Sequence, residues 1–322
     1  MMMQLKDIYR LVAADLEKVE AELKNVIQVE NALLARLLEY SVSGSGKRIR
    51  PVFTLLSGKF NRYERKKLVT MAAGLELLHS ATLVHDDIVD NSPLRRGKPT
   101  ISTQWGTNAA LLLGDYLFAK AGRLVANTGN LRVIRLFAQT LMTISSGELS
   151  QINVPFDTRR MRDRYFKWIG AKTACLFSTS TESGAVLSDA PEAIISALRD
   201  YGYYFGMTFQ VIDDILDFTG REEDLGKPIG SDLNEGAVTL PTIIFAETSQ
   251  GEDIVCEALG KRNQKATAAA IEKIRHSPAI DESMHIARGF SRNAAACLDK
   301  LPDNRAHQAL SNLLELMLTR ER

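Results

Sequence analysis

Hydrophobic residues recur at helical spacing along nearly the whole chain. Between residues 4 and 40, apolar side chains return every three or four positions with charged residues between them, which predicts an amphipathic helix followed by a second one. Further helices are predicted over residues 52–88, 107–126, 131–149, 161–187 and 193–218. About four more follow Pro241, and no segment shows the alternation of apolar and polar residues expected of a strand. The pattern therefore predicts an all-α protein.

The helical pattern first breaks at SVSGSGKRIRP, residues 41–51, which contains no P-loop motif. One interpretation is a Gly/Ser turn whose cations are solvated. Three cations follow Gly46 in this segment, namely Lys47, Arg48 and Arg50. They lie at a helix start, where free backbone N–H groups favour anions, so the other interpretation is a phosphate site.

The longest loop-like segment is TGREEDLGKPIGSDLNEGAVTLP, residues 219–241. A loop of this length in a compact domain is usually functional. We expect it to act as a lid over a ligand.

Two aspartate clusters share the spacing DDxxD within apolar helical sequence. They are Asp86, Asp87 and Asp90, and Asp213, Asp214 and Asp217. The first and last aspartates of each cluster stand on the same helix face, where two carboxylates repel unless a cation lies between them. Carboxylate ligands without His or Cys favour hard cations, above all Mg²⁺, which commonly binds one or two carboxylates together with substrate phosphates. The repeated cluster therefore predicts a magnesium and phosphate site, with the clusters facing each other across a helical bundle.

Basic residues near these clusters have more than one interpretation. Arg95 and Arg96 follow the first cluster at once and form either a surface ion pair, worth little, or part of an anion site. Lys172 lies among small residues that would let a ligand approach closely, although a lysine extending to solvent explains it equally well. Glu148, in SSGELSQ, is interpreted as a structural polar group.

Composition restricts the class of protein. The 322 residues are 45% hydrophobic and 25% charged with a net charge of +1, so no basic excess indicates a nucleic-acid partner. Cys175, Cys256 and Cys297 are widely spaced without a CxxC motif, which indicates reduced thiols. The N-terminus lacks an apolar signal core, and no uncharged apolar run reaches the ~18 residues of a membrane span. We expect a cytoplasmic protein without an integral membrane segment, built as one large domain or two.

The clusters and their basic neighbours also predict a reaction. A diphosphate held by Mg²⁺ and arginine becomes a good leaving group, and what remains must be a stable cation. The surrounding sequence is apolar and aromatic. This combination predicts an allylic diphosphate that ionises among helices.

The sequence resembles the trans-isoprenyl diphosphate synthases, or polyprenyl synthetases, over nearly its whole length. The similarity rests on ordered motifs: GKRIRP (46–51), HSATLVHDDIVD (79–90), RRG (95–97), GELSQ (147–151), KTA (172–174), FQVIDDILD (209–217), LGKPIGSDLNEG (225–236) and TLP (239–241). The resemblance implies one polyprenyl synthetase domain over residues 1–322, with the type I isoprenoid synthase fold of helices around a deep central cavity. It also implies a homodimer.

The resemblance further implies the roles of individual residues. Roughly two or three Mg²⁺ ions would be bound by Asp86, Asp90, Asp213 and Asp217, with Asp87 in support. The allylic diphosphate would contact Arg95, Lys172 and Lys227. Isopentenyl diphosphate would contact Gly46, Lys47, Arg50, His79 and Arg96. The reacting carbon would lie beside the oxygen dipoles of Thr173 and Gln210. Many relatives carry Lys where this chain has Ala237, which puts one phosphate contact in question.

Product length in this family depends on how deep the cavity runs below the first aspartate cluster. The residue five positions before the cluster is Ala81, where short-chain members often carry Tyr or Phe. Leu78 follows about 4.5 Å deeper, at 1.5 Å rise per residue, and would limit the cavity further down. The resemblance therefore implies an all-trans product of roughly C30 to C50. If another bulky side chain closes the cavity earlier, the product is farnesyl or geranylgeranyl diphosphate.

Three other classes of protein fit part of the sequence. A class I terpene cyclase shares the first DDxxD, but its second metal motif is typically an Asn/Ser/Glu triad. A helical HD phosphohydrolase would match His85-Asp86 but needs a histidine-rich metal centre. A helical scaffold, or an inactive partner subunit of a heterodimeric prenyl synthase, usually lacks Asp-rich motifs, and both are intact here. The favoured function is a Mg²⁺-dependent trans-polyprenyl diphosphate synthase.

Overall fold

A computed structural model describes residues 4–42, 46–152, 158–220, 229–260 and 264–319. The all-α prediction is confirmed, since 80% of these described residues are helical. The helices are α1 (Leu5–Arg10), α2 (Ala13–Ile27), α3 (Ala32–Val42), α4 (Ile49–Ser57), α5 (Arg65–Val89), α6 (Ile101–Trp105), α7 (Thr107–Ala126), α8 (Leu131–Leu149), α9 (Thr158–Ile169), α10 (Cys175–Leu187), α11 (Glu192–Thr219), α12 (Ser231–Glu235), α13 (Leu240–Ala246), α14 (Gly251–Gly260), α15 (Gln264–Arg275), α16 (Ala279–Leu298) and α17 (Arg305–Leu318). A 3₁₀ turn, Gly58–Phe60, follows α4, and a π-helical turn, Gly170–Ala174, joins α9 to α10.

The predicted bounds of α7 and α8 are confirmed, but the continuous helix expected over 52–88 is wrong at its middle. The chain leaves the helical conformation at Asn61, whose φ is −151°. The Asn61 amide donates hydrogen bonds to the backbone oxygens of Ser188 and Asp189, at 3.0 and 2.6 Å. Because these partners are distant in sequence, hydrophobic periodicity gives no sign of the break.

One strand pair departs from the prediction of helices alone. Leu94–Arg95 and Lys98–Pro99 form a two-stranded antiparallel hairpin. Arg96 and Gly97 make its turn with φ angles of +51° and +74°, both left-handed as a type I′ turn requires. Two-residue strands are too short to show alternation, so the hydrophobic pattern could not reveal them.

The chain divides into two compact units. The first comprises residues 1–141, 176–202 and 297–313, and α5 is its central helix, with α2, α4 and α7 packed against it. The helices α5 and α7 approach so closely that a Cβ atom on Gly114 would overlap the ring of His85. Among the described residues, α5 is also long and apolar enough to cross a membrane. Since 67% of that stretch is buried inside the protein, the central helix of a core explains its composition.

The second unit comprises residues 142–175, 203–296 and 314–322. Its core is formed by aliphatic and aromatic side chains, among them Tyr165, Val211, Phe218, Ile243 and Ile274. Tyr165 comes from α9, and α11 contributes Val211 and Phe218, so the core fixes these two helices beside each other. One domain over residues 1–322 stays a prediction.

Candidate active site

The first aspartate cluster lies at the end of α5. Asp86 is partly buried, and Asp90, which ends the helix, is exposed. The helix stops because Asn91 takes up a left-handed conformation, with φ of +50°. Asp86 and Asp90 therefore lie on one face, in the i, i+4 relationship that lets two carboxylates share a cation.

Asp87 has a different environment from its neighbours. It is buried and forms an ion pair with Arg95 of the hairpin, with 2.7 Å between Oδ1 and Nε. Burial raises the pKa of Asp87 above its ordinary value, while the Arg95 guanidinium opposes this shift by favouring the carboxylate. Arg95 therefore forms an ion pair with the first cluster, but its partner Asp87 is buried, so the pair is not simply a surface one. It ties the hairpin to the end of α5.

Arg48 is held by two glutamates. Its backbone is left-handed, with φ of +48°, immediately before α4. Its Nη1 donates to Glu76 at 2.9 Å and its Nε donates to Glu20 at 2.6 Å. Glu76 is a buried residue of α5. The cations of residues 41–51 therefore do not act as one group, because Arg48 anchors the segment to α5.

Several predicted substrate residues of the first unit gather around His79. Burial lowers the pKa of His79 well below its ordinary value, and the nearby arginines lower it further. These arginines are Arg50, Arg95, Arg96 and Arg48, in order of their effect. A Cβ atom on Gly46 would lie 4.0 Å from a terminal nitrogen of Arg96, so the glycine lies at the same cluster. Lys47 is exposed next to it. A neutral histidine among arginines forms a concentration of positive charge suited to a diphosphate.

The two residues proposed to limit product length lie on α5. Ala81 and Leu78 are both fully buried. Their spacing of three places them on the same side of the helix, as the prediction requires. Their role in product length stays a prediction.

In the second unit, the π-helical turn presents Lys172 and Thr173. Nζ of Lys172 lies 3.2 Å from Oε1 of Glu148 and 5.5 Å from the centre of the Trp168 ring. The Trp168 indole donates a hydrogen bond to the same Glu148 oxygen at 3.2 Å. Gly147 allows this contact, since a Cβ atom there would lie 2.6 Å from the Cβ of Ala171. Lys172 is therefore held by a carboxylate and an aromatic ring rather than simply extended to solvent.

Thr173 and Gln210 are in direct contact. The Thr173 hydroxyl donates to Oε1 of Gln210 at 2.7 Å, and Nε2 of Gln210 donates to Oδ1 of Asp214 at 2.9 Å. Oδ2 of Asp214 accepts a hydrogen bond from the Tyr165 hydroxyl at 2.5 Å. Burial raises the pKa of Asp214 well above its ordinary value, and the hydrogen bonds from Tyr165 and Gln210 oppose this shift. Sequence reasoning had no signal for Tyr165, because it is spaced like any other core aromatic residue.

The two aspartate clusters differ in the position of their exposed carboxylates. Asp213 is exposed, whereas Asp217 is buried. Asp217 accepts hydrogen bonds from the Ser231 hydroxyl at 2.9 Å and from the Asp232 backbone N–H at 3.2 Å. It thereby satisfies a backbone group at the start of α12. Its role as a metal ligand stays a prediction.

Within each unit, the carboxylates of its aspartate cluster are suited to Mg²⁺ that also binds substrate. Among the described residues, no group of three or more His, Cys, Asp or Glu side chains lies close enough together to bind a metal ion. In the first cluster the exposed or partly buried carboxylates are Asp86 and Asp90, and in the second cluster the exposed carboxylate is Asp213. Oxygen donors in such small number are what Mg²⁺ uses when phosphates and water complete its coordination.

Part of the predicted lid lies outside the described residues. This includes Lys227, the third residue predicted to contact the allylic diphosphate. The described part contains α12, which ends at Gly236 with φ of +89°. The N–H of Ala237 then donates to the backbone oxygen of Asp232 at 2.8 Å. The side chain of Ala237 carries no charge, so it cannot form an ion pair with a phosphate.

Comparisons with known proteins identify the family of the chain. Residues 31–275 match the family model for polyprenyl synthetase. The chain is 40% identical over 312 residues to heptaprenyl diphosphate synthase component 2 of Geobacillus stearothermophilus, covering 97% of each chain. It is 33% identical over 323 residues to octaprenyl diphosphate synthase of Escherichia coli, covering 99% of this chain and 100% of the relative.

A solved structure shows the same fold. The polyprenyl synthase of Caulobacter crescentus, complexed with calcium and isoprenyl diphosphate, superposes with a TM-score of 0.93 at 33% identity. The match covers 100% of this chain and 99% of that one. The all-α isoprenoid synthase fold expected from the sequence is therefore confirmed. By sequence and by fold, the chain belongs to the polyprenyl synthetase family, whose general activity is prenyl transfer.

Proposed function

We propose that this chain is a Mg²⁺-dependent prenyltransferase that condenses isopentenyl diphosphate with an allylic diphosphate. The observation that carries the proposal is the arrangement around the π-helical turn. There a cation for phosphate, Lys172, is adjacent to Thr173, whose hydroxyl oxygen is paired with the amide oxygen of Gln210. Such oxygens stabilise positive charge on a neighbouring carbon. In the first unit, the arginines around His79 would bind the second diphosphate.

The reaction would proceed by ionisation and attack. Mg²⁺ bound through Asp86 and Asp90, and a further Mg²⁺ bound through Asp213 and Asp217, would supply positive charge that makes the allylic diphosphate a better leaving group. The allylic C–O bond breaks, and its electron pair leaves with the diphosphate. Thr173 and Gln210 place oxygen lone pairs next to the allylic cation. The isopentenyl double bond then forms the new C–C bond, and the adjacent carbon loses a proton to the departing diphosphate.

The proposed product is an all-trans polyprenyl diphosphate of roughly C30 to C50. The reason is that Ala81 is too small to close the proposed cavity, so that the product can extend along α5 to Leu78, about 4.5 Å deeper. The Geobacillus and Escherichia relatives, named for heptaprenyl and octaprenyl products, support this range. The reduced cysteines and charged substrates are consistent with a cytoplasmic enzyme. A homodimer is the assembly that the family resemblance favours.

A second candidate is one subunit of a two-component synthase. The name of the Geobacillus relative, heptaprenyl diphosphate synthase component 2, supports it, since it implies another component. Light scattering of the purified chain, together with its activity alone, separates the two. A homodimer that turns over alone supports the first candidate, whereas a chain inactive until a second subunit is added supports the second.

Product analysis tests the proposal. Purified protein is incubated with Mg²⁺, labelled isopentenyl diphosphate and farnesyl diphosphate, and the dephosphorylated products are separated by chain length. We expect a ladder that ends at roughly C30 or beyond, and EDTA should abolish it. Farnesyl or geranylgeranyl diphosphate made from shorter primers would support the proposed reaction but contradict the proposed chain length. Turnover that survives EDTA would overturn the metal dependence.

A further inference from the structure

The oxygen pair of Thr173 and Gln210 continues into the core of the second unit as a chain of hydrogen bonds. From Thr173 the chain runs through Gln210 to Asp214 and ends at Tyr165, with donor–acceptor distances of 2.7, 2.9 and 2.5 Å. Asp214 is 2% exposed and Tyr165 is 3% exposed. Neither can touch a substrate, so any influence on the reaction passes through Gln210.

Every hydrogen bond in this series is donated in the direction of Asp214, from Thr173 and Gln210 on one side and from Tyr165 on the other. Both carboxyl oxygens of Asp214 accept hydrogen bonds, one from Tyr165 and one from Nε2 of Gln210. Because the donor end of the Gln210 amide faces Asp214, its acceptor end faces Thr173. A threonine hydroxyl has one proton, and here Gln210 accepts it. What remains for a neighbouring ligand is the lone pairs of both oxygens, not their hydrogens.

We propose that Tyr165 and Asp214 are positioning residues that fix the direction of the Gln210 amide and, through it, of the Thr173 hydroxyl. This inference rests on the proposed function. A cation beside Thr173 is stabilised by oxygen lone pairs and repelled by a hydroxyl proton. The direction of the hydrogen bonds therefore decides whether Thr173 stabilises or destabilises the cation. The middle aspartate of the second cluster thus contributes to catalysis without binding metal or phosphate.

The conservative variant Asp214→Asn tests the direction directly. An asparagine at this position has a donor as well as an acceptor, so the Gln210 amide can reverse and the Thr173 proton can turn outward. We expect kcat to fall by about 10-fold or more while the KM values for both substrates change by less than about 3-fold, since only charge formed during reaction is affected. Tyr165→Phe should act in the same direction with a smaller loss.

A double-mutant cycle with Thr173→Val separates positioning from general support of the fold. If Asp214 acts through Thr173, adding Asp214→Asn to Thr173→Val should cost less than about 2-fold further in kcat. Losses that multiply in full would overturn the inference. If the Asp214→Asn variant does not fold, the same double-mutant cycle is measured with Tyr165→Phe and Thr173→Val.

Tyr201→Phe is the matched control for Tyr165→Phe. Tyr201 is also fully buried, and its hydroxyl donates to the backbone oxygen of Leu310 at 2.8 Å in the first unit. It should lower the melting temperature without changing kcat. An equal loss of kcat in both tyrosine variants would overturn the inference. Absence of turnover by the wild-type chain, both alone and with a second subunit added, would overturn the proposed function together with the inference, whereas multiplicative losses in an active enzyme overturn the inference alone.

Discussion

Oε1 of Glu148 lies 3.2 Å from the ammonium of Lys172 and accepts a hydrogen bond from the Trp168 indole. The side chains of Glu148 and Lys172 are each about a quarter exposed, at 25% and 27%. A carboxylate therefore offsets the charge of a lysine that the proposed function assigns to phosphate. A phosphate ligand must compete with Glu148 for Lys172.

Glu148→Gln should strengthen the binding of inorganic diphosphate. Glutamine keeps an acceptor for Trp168, while one fewer carboxylate competes for Lys172. At low ionic strength we expect the dissociation constant, measured by calorimetry, to fall by about 2- to 5-fold, as for a partly exposed ion pair worth up to ~1 kcal/mol. The gain should shrink as salt is added.

Glu247→Gln provides the control, because it removes the same charge from the surface pair with Arg162 in the same unit. It should leave diphosphate binding unchanged. Weaker binding by Glu148→Gln would show instead that the carboxylate is needed to hold Lys172 in place.

His79 should make the stability of the protein depend on pH. Its pKa is depressed in the folded state by burial and by the arginines around it, relative to about 6.5 in the unfolded chain. Below that pH the histidine is protonated in the unfolded chain but stays neutral in the folded one. The free energy of unfolding therefore decreases as pH falls, by up to about 1.4 kcal/mol per pH unit. Above it, both states are neutral and the effect disappears.

Urea unfolding at pH 7.5 and pH 5.5 measures this contribution. The wild-type chain should lose more stability between the two conditions than His79→Gln does. His276→Gln removes a histidine whose side chain is 73% exposed and should behave as the wild type does. Equal pH dependence in the wild type and His79→Gln would contradict the expectation.

Gly114→Ala should destabilise the first unit and disturb the end of α5. The new methyl group would overlap the ring of His85, next to Asp86, so α5 and α7 would have to separate. We expect a loss of about 1–3 kcal/mol in the free energy of unfolding. Gly122→Ala on the same helix is the matched control, because its Cβ would lie 3.7 Å from Phe137, an ordinary contact. It should be neutral or stabilising by up to ~1 kcal/mol. Equal effects of the two substitutions would contradict the close approach.

Leu78→Ala should lengthen the product. Leu78 lies one helical row beyond Ala81, and its truncation would deepen the proposed cavity by part of a prenyl unit. The comparison is Leu77→Ala, which is equally buried on the same helix but faces about 100° away. Both variants should lose about 2–5 kcal/mol of stability. Only Leu78→Ala should shift the ladder of products upward, and an equal shift in both would show that loosened packing controls length.

The sequence predicted much of this molecule because helix periodicity and aspartate spacing are local properties. The bounds of α7 and α8 follow from runs of apolar residues, and the first cluster ends its helix where the prediction placed the end. Asp86 and Asp90 share a face because they are four residues apart. These features depend on near neighbours in the chain.

What the sequence could not show depends on partners far along the chain. Arg48 and Arg50 are equivalent in composition, yet Arg48 is bound by Glu20 and Glu76, each 28 residues away. Asp213 and Asp214 are adjacent, yet Asp214 is buried beneath the hydroxyl of Tyr165. Only packing decides which of two neighbouring charges faces a ligand and which one holds the structure together.

The π-helical turn at Gly170–Ala174 changes how insertions and deletions act in this region. A wide turn accommodates an extra residue within an otherwise continuous helical run. Removing a single residue there would restore regular α-helical winding and change the direction in which the residues of the turn point, while the helices on either side keep their orientation. In a sequence alignment this change would be a gap of a single residue. In the folded chain the deletion would separate both Lys172 and Thr173 from their partners, so we expect the relatives of this chain to differ in length at other positions before they differ here.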